Sequence, residues 1–383
     1  MLQLIQMNST KIRHLFLLLS ITLFSTLLFW GAFYFDVPGK IGLDHVSMET
    51  IWANYDGPNY LAISKCGYRP DCIRQSFSLP QPLEYYPAHF PGFSALINIF
   101  QPGLLSGPRA MLFVALLGSL FFSIFTYLFF TLYFSPKSSL VLAAIAIFFP
   151  ARVFILRQIG APEGWFIGSI LASLYFFKQK RYFVSALFAA SAQIFKSPGI
   201  LLFAAFFCHW LITFIKTKKI NLSKYIWYLL SPLSVLLIFY LYQWQTGDFW
   251  AYFHSGDNIH LSLIPYSVFL SRNTWVNTIW LEDVIYIFGL CFTALFILYR
   301  RLKLKISFIF PLLFTLATVF VGHRDISRYL SPVYPFIFLA FGRFLTKKSF
   351  QLIFLLLVPA VFLFALNFVA GNVAPIADWG PYL

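Results

Sequence analysis

The feature that most constrains this chain is a succession of about eleven apolar runs, at roughly 15–35, 109–133, 138–151, 160–177, 182–197, 198–215, 225–243, 278–299, 306–321, 329–345 and 350–370. A helix of about 20 residues crosses the hydrocarbon core of a bilayer. Inside lipid every backbone polar group needs an internal partner, which leaves helices or closed barrels. Barrel strands alternate apolar and polar residues over about ten positions, whereas these runs are continuous. The expected fold class is therefore all-α: a polytopic integral membrane protein with about 11 transmembrane helices. Composition agrees, with 60% apolar and 11% charged residues against about 25% charged in ordinary soluble domains. A soluble enzyme, a disordered chain and a small disulfide scaffold are excluded.

The net charge of +15 invites a nucleic-acid reading, but its distribution argues for topology. The basic residues fall in short clusters between apolar runs, as in Lys178, Lys180 and Arg181 or Arg300, Arg301, Lys303 and Lys305. With the N-terminus placed inside, these clusters lie on the cytoplasmic side and every Asp and Glu lies on the outer side, including Asp56, Glu84, Glu163, Asp257 and Asp325. The first run follows Lys11 and Arg13 without a small-residue cleavage site and reads as an uncleaved anchor. Residues 1–383 read as one transmembrane domain. The long outer connections are 36–108, a candidate catalytic loop with interfacial helices, and 244–277. Cys66 and Cys72 lie in the first of these, and a disulfide between them is left open by the sequence.

Titratable residues recur at these membrane edges. Asp56 opens the stretch Tyr55-Asp56-Gly57-Pro58-Asn59-Tyr60, where it reads either as a helix cap or as a general base. Glu84 and His89 flank the Pro-rich, aromatic segment 84–93. Between Arg152 and Gly164, Arg157 and Glu163 sit at membrane depth, where charge is expensive; they read as functional groups or as a structural pair. Lys196 is a lone outer cation between two runs. Arg324 and Arg328 crowd the start of a late span; Arg324 has Asp325 beside it, and Arg328 has no local partner.

Carboxylates from the first loop with cations from distant spans suit transfer from a lipid phosphate. Cations hold the phosphate and stabilise the charge that grows on it as it leaves, and a carboxylate takes the proton of the incoming hydroxyl. The alternatives are a transporter or flippase of a lipid-linked anion, using the same cations without chemistry, and a non-catalytic scaffold. No metal or other cofactor is expected, although Asp56 and Glu84 leave room for a shared divalent ion; no nucleic-acid motif is present.

The motifs resemble the GT-C superfamily of membrane glycosyltransferases, and most closely the PIG-V type of GPI mannosyltransferase and its prokaryotic relatives. Asp56, Tyr60, Ile63, Gly67 and Tyr68 match that family's first-loop pattern in register. Tyr85-Tyr86-Pro87 with Phe90-Pro91-Gly92-Phe93, Ala161–Phe166, Phe195–Gly199, Thr246–Phe249 and Arg328-Tyr329-Leu330 resemble its later elements in order. Tyr55 stands where the family has Trp, and Lys196 where it has Arg. The resemblance implies a hexose, most commonly mannose, moved with inversion from a polyprenyl-phosphate carrier to a lipid or glycan acceptor at the outer or lumenal face of a plasma or ER membrane. On that basis Asp56 is the expected base. Arg157, Lys196 and Arg328 are the expected phosphate ligands. Glu84, His89, Glu163, Tyr60 and Arg324 are expected near the sugar, the acceptor or the base.

Overall fold

The computed structural model describes residues 9–78, 80–101, 105–219, 222–256, 260–276, 281–376 and 378–383; Asp257 lies outside them. Among the described residues the chain is helical, with two isolated β-bridges and no strand. Each of the eleven apolar runs meets a helix: α1 Ser9–Tyr34, α4 Gly107–Phe130, α5 Pro136–Phe148, α6 Glu163–Lys178, α7 Tyr182–Phe195, α8 Ile200–Thr217, α9 Leu230–Thr246, α10 Glu282–Leu302, α11 Ile306–Val319, α12 Tyr334–Leu345 and α13 Lys348–Ala370. Two helices of the 36–108 segment complete the numbering, α2 Gly57–Cys66 and α3 Gly92–Phe100.

Among the described residues six spans are long and apolar enough to cross a membrane by length and composition, some with a short turn added to the helix: Ser9–Tyr34, Gly107–Phe130, Ser197–Thr217, Leu222–Thr246, Glu282–Leu302 and Lys348–Ala370. The others are shorter, and α6 is enclosed by protein on almost every side. It packs most extensively on α4 and α7. Small residues permit that approach. A Cβ on Gly164 would come within 2.7 Å of the Gly118 carbonyl carbon and 3.0 Å of the Ser119 nitrogen. This crossing fixes the start of α6, and with it Glu163, the first residue of the helix. By contrast α1, α8, α10 and α13 turn large apolar side chains outward, among them Phe16, Phe207, Phe296 and Leu356. On a protein with this hydropathy such faces contact lipid. The protein is an integral, multi-pass membrane protein.

The 36–108 segment returns repeatedly to the helix bundle. Here α2 and α3 lie against each other, and α3 continues onto α4. The disulfide is formed: Cys66 at the end of α2 is bonded to Cys72, with their Cα atoms 5.6 Å apart. The C-terminal end of α13 stitches down the residues just before α2. The Asn54 side-chain amide donates to the Val369 carbonyl at 2.7 Å, and the Ala374 N–H donates to the Ala53 carbonyl at 2.9 Å. Tyr55 and Asp56 are thereby held against the bundle.

Candidate active site

The ends of α2, α6, α7 and α13 and the short helix Ile326–Tyr329 surround a cavity of about 1060 Å³. Seven charged residues on its walls and one behind them come from segments up to 272 positions apart.

Asp56 precedes α2, yet its side chain does not cap that helix. Instead the carboxylate faces the cavity, 21% exposed, and accepts a hydrogen bond from Arg328 Nη2 at 2.7 Å. His89 Nε2 stands 3.6 Å from its other oxygen. Burial works to raise the Asp56 carboxyl, but the Arg328 charge and His89 outweigh it and hold the group well below the usual carboxylate range. Asp56 is therefore ionised at neutral pH.

Glu163 lies just behind the wall, 2% exposed. Its Oε1 accepts from Lys196 Nζ at 2.8 Å and from Arg328 Nε at 3.0 Å. Of the two readings of Arg157 and Glu163, the structural pair is not formed; Glu163 uses partners 33 and 165 residues away. One buried carboxylate thus aligns two cations side by side. Burying a charge costs several kcal/mol unless it is paired and hydrogen-bonded; here the two cations satisfy Oε1, while Oε2 is buried without a hydrogen-bond partner among the described residues.

Tyr55 links this cluster to a second one. Its backbone is in the left-handed region, φ 51°, which is uncommon for a non-glycine residue. The Arg328 guanidinium lies over its ring, 4.5 Å from the centroid. Its hydroxyl donates to Asp325 Oδ2 at 3.0 Å and accepts from Arg152 Nη1 at 2.9 Å. Arg152 Nε pairs with Asp325 Oδ1 at 3.0 Å, and its guanidinium lies 4.1 Å from the Phe368 ring centroid. Asp325 thus pairs with Arg152 across the bundle, while neighbouring Arg324 is exposed at the cavity rim. His323 lines the same end, its ring 4.6 Å from that of His260. Burial, with the neighbouring His260, pushes His323 down to about 4, so it is neutral at pH 7.

Of the residues singled out from sequence, Asp56, Tyr60, His89, Lys196, Arg324 and Arg328 line one cavity, with Glu163 behind them. Two do not reach it. Arg157 is 2% exposed and donates to the Ile147 carbonyl at 2.5 Å; the turn after the short helix Ala151–Leu156 directs it into the protein. Glu84 sits on the exposed side of the 3-10 turn Leu83–Ala88, while His89, just past that turn, is buried. Asp248 accepts from the Trp250 N–H at 2.9 Å and pairs with His254, so it organises its own turn. Sequence reasoning passed over Arg152, Asp325, Tyr55 and His323 as site residues. The available signal was a second Arg at the same membrane edge as Arg157.

The helix order and the cavity beneath the 36–108 segment define an all-helical, polytopic membrane fold. Among solved structures, the fold is similar to that of the archaeal oligosaccharyltransferase AglB from Archaeoglobus fulgidus, in complex with an inhibitory peptide and a dolichol-phosphate, with a TM-score of 0.52 and 13% sequence identity. The match covers 94% of this chain and 57% of AglB, so this chain spans little more than half of AglB's length. At that identity the likeness is one of fold. No protein-family model and no curated protein matches the sequence.

Proposed function

We propose that this protein is a glycosyltransferase that moves a hexose, mannose by resemblance, from a polyprenyl-phosphate sugar to an acceptor hydroxyl at the outer face of the membrane. The observation that carries the reading is the shared cavity in which Asp56 faces Lys196 and Arg328, the two cations held by Glu163. The fold likeness adds to it, since AglB was solved with a dolichol-phosphate. The Cys66–Cys72 disulfide fits an oxidising compartment on this side.

Charge makes the scheme concrete. Lys196 and Arg328 carry two positive charges, and Glu163 and ionised Asp56 two negative ones, so the resting cluster is neutral. When Asp56 takes the acceptor proton the cluster becomes +1, facing the charge that grows on the leaving phosphate. Arg328 now holds Asp56 as well; a phosphate that draws Arg328 toward itself weakens that hold and makes Asp56 a better base. The acceptor hydroxyl gives its proton to Asp56 as its oxygen bonds to the anomeric carbon. The bond from that carbon to the phosphate oxygen breaks, and its electron pair stays on the phosphate, beside Lys196 and Arg328. One displacement inverts the anomeric centre. Protonated Asp56 then returns its proton to water. Ile200, Leu201 and Phe314 on α8 and α11 continue the cavity wall as an apolar surface, a path for the lipid tail.

Purified protein in nanodiscs, given a radiolabelled polyprenyl-phosphate hexose and a membrane extract as acceptor, is expected to form a labelled product. Asp56→Asn keeps the shape of the side chain, so the fold is expected to persist while turnover drops about 10²- to 10⁴-fold, the range for loss of a general base. Near-normal turnover in that variant, or movement of the lipid without a covalent product, overturns the reading.

A further inference from the structure

We propose that the Arg152–Asp325–Tyr55 end of the cavity is the acceptor subsite, and that it takes a neutral, hydroxyl-rich ring such as a hexose of a glycan or glycolipid, not a second phosphate. This deepens the transfer reaction proposed above and rests on it.

Position comes first. Tyr55 precedes Asp56 in the chain, and its ring lies under the Arg328 guanidinium at 4.5 Å. Its hydroxyl is bonded to both Arg152 and Asp325, and all three residues line the same cavity as Asp56 and Lys196. A sugar held there shares the cavity with Asp56, the neighbour of Tyr55 in the chain, as delivery of its hydroxyl proton to that base requires.

Charge separates the two ends. Lys196 and Arg328 are balanced by Glu163 and Asp56 until Asp56 takes up a proton, which leaves one positive charge, whereas Arg152 and Asp325 cancel throughout. A cancelled pair has no net charge to attract an anion. It still presents fixed donors and acceptors, with the Tyr55 hydroxyl between them, and these match the hydroxyls of a sugar. Neutral His323 extends the same character. Arg152 is further fixed by its contact with Phe368. Pairing and packing hold these groups in place before a ligand arrives, which lowers the ordering cost of binding.

The test is saturation-transfer NMR on the full chain in nanodiscs, with methyl α-mannopyranoside as the neutral probe and dimethyl phosphate as the anionic one. Asp325→Asn and Tyr55→Phe are each expected to weaken mannoside binding about two- to tenfold, the range for one lost hydrogen bond, and to leave dimethyl phosphate nearly unaffected. Lys196→Gln is expected to do the reverse. Tyr55→Phe keeps the ring under Arg328 and against Phe368, so it tests the hydroxyl even where Asp325→Asn fails to fold. The proposal is overturned when the mannoside does not bind the wild type, when it binds both variants undiminished, or when its binding follows Lys196 instead. Failure of the underlying reaction reads differently: the mannoside pattern stays intact while the wild type yields no product from a polyprenyl-phosphate hexose.

Discussion

The two ends of the cavity are built from the same elementary unit, an arginine within about 3 Å of a carboxylate. At one end Arg328 is divided between Asp56 and Glu163, and Glu163 is divided between Arg328 and Lys196. At the other, Arg152 has one acid, Asp325, with a tyrosine hydroxyl across both and a phenylalanine ring beneath. The first arrangement leaves charge to be redistributed when an anion arrives. The second is electrically closed. What an ion pair does in a membrane protein thus depends less on its distance than on what each partner still has to share.

Removing each arginine should break the symmetry most strongly. Arg328→Ala takes the paired cation from Asp56, leaving it only His89 at 3.6 Å, and takes one of two cations from the buried Glu163. Removing one partner of a buried ion pair costs about 3–5 kcal/mol. Arg152→Ala leaves Asp325 with the Tyr55 hydroxyl still donating to it, so its cost is expected nearer 1–3 kcal/mol, that of one charged hydrogen bond lost. Denaturant or thermal unfolding in the same detergent compares them. Asp56→Asn introduced alongside Arg328→Ala should recover part of the loss, because the carboxylate left without its cation is then gone. Equal losses from the two arginines would mean that the shared and closed pairs are energetically alike.

The helices were legible because a bilayer demands long continuous apolar runs, and each of the eleven runs meets a helix. The charged groups were legible one at a time, because a charge at membrane depth is conspicuous. Their partners were not. Asp325 lies three residues before Arg328 but accepts only its backbone N–H and pairs with Arg152; the side-chain partners of Arg328 are 165 and 272 residues away, and only packing brings them together. The direction of a side chain leaving a turn was equally hidden. Arg152 and Arg157 flank one short helix, yet one faces the cavity and the other faces into the protein. Glu84 and His89, five residues apart, divide in the opposite order. Hydropathy reports depth in the membrane, and it carries no record of which way a turn points.

A smaller effect concerns Lys196. It grips as a point charge, where Arg would form a two-pronged contact with phosphate. Lys196→Gln is expected to weaken binding of a polyprenyl phosphate by about tenfold or more, the value of one charged hydrogen bond. Lys196→Arg should retain most of it. The Asp325→Asn variant, at the closed end, should bind the same lipid with little change. Titration of a fluorescent polyprenyl phosphate into nanodiscs reads all three. If Asp325→Asn loses the lipid as strongly as Lys196→Gln, the division of the cavity fails.

The smallest effect is expected from pH, and its sign follows from Asp56. Burial alone would raise this carboxyl; Arg328 and then His89 hold it well below the ordinary value of about 3.9. A group whose folded value is depressed stabilises the fold fully above its unfolded value. That stabilisation is lost as pH falls through the folded value. The pair should therefore contribute a constant stability between about pH 5 and 8 and weaken only below about pH 4. Asp56→Asn cannot form the ion pair, so its melting temperature should run below that of the wild type by a fixed gap near neutrality, and the two should converge in acid. Melting curves of both proteins across that range decide it. A gap that closes between pH 5 and 7 would mean that Asp56 takes up its proton near neutrality, so that Arg328 is not holding it, and the contrast between a shared and a closed arginine would lose its physical basis.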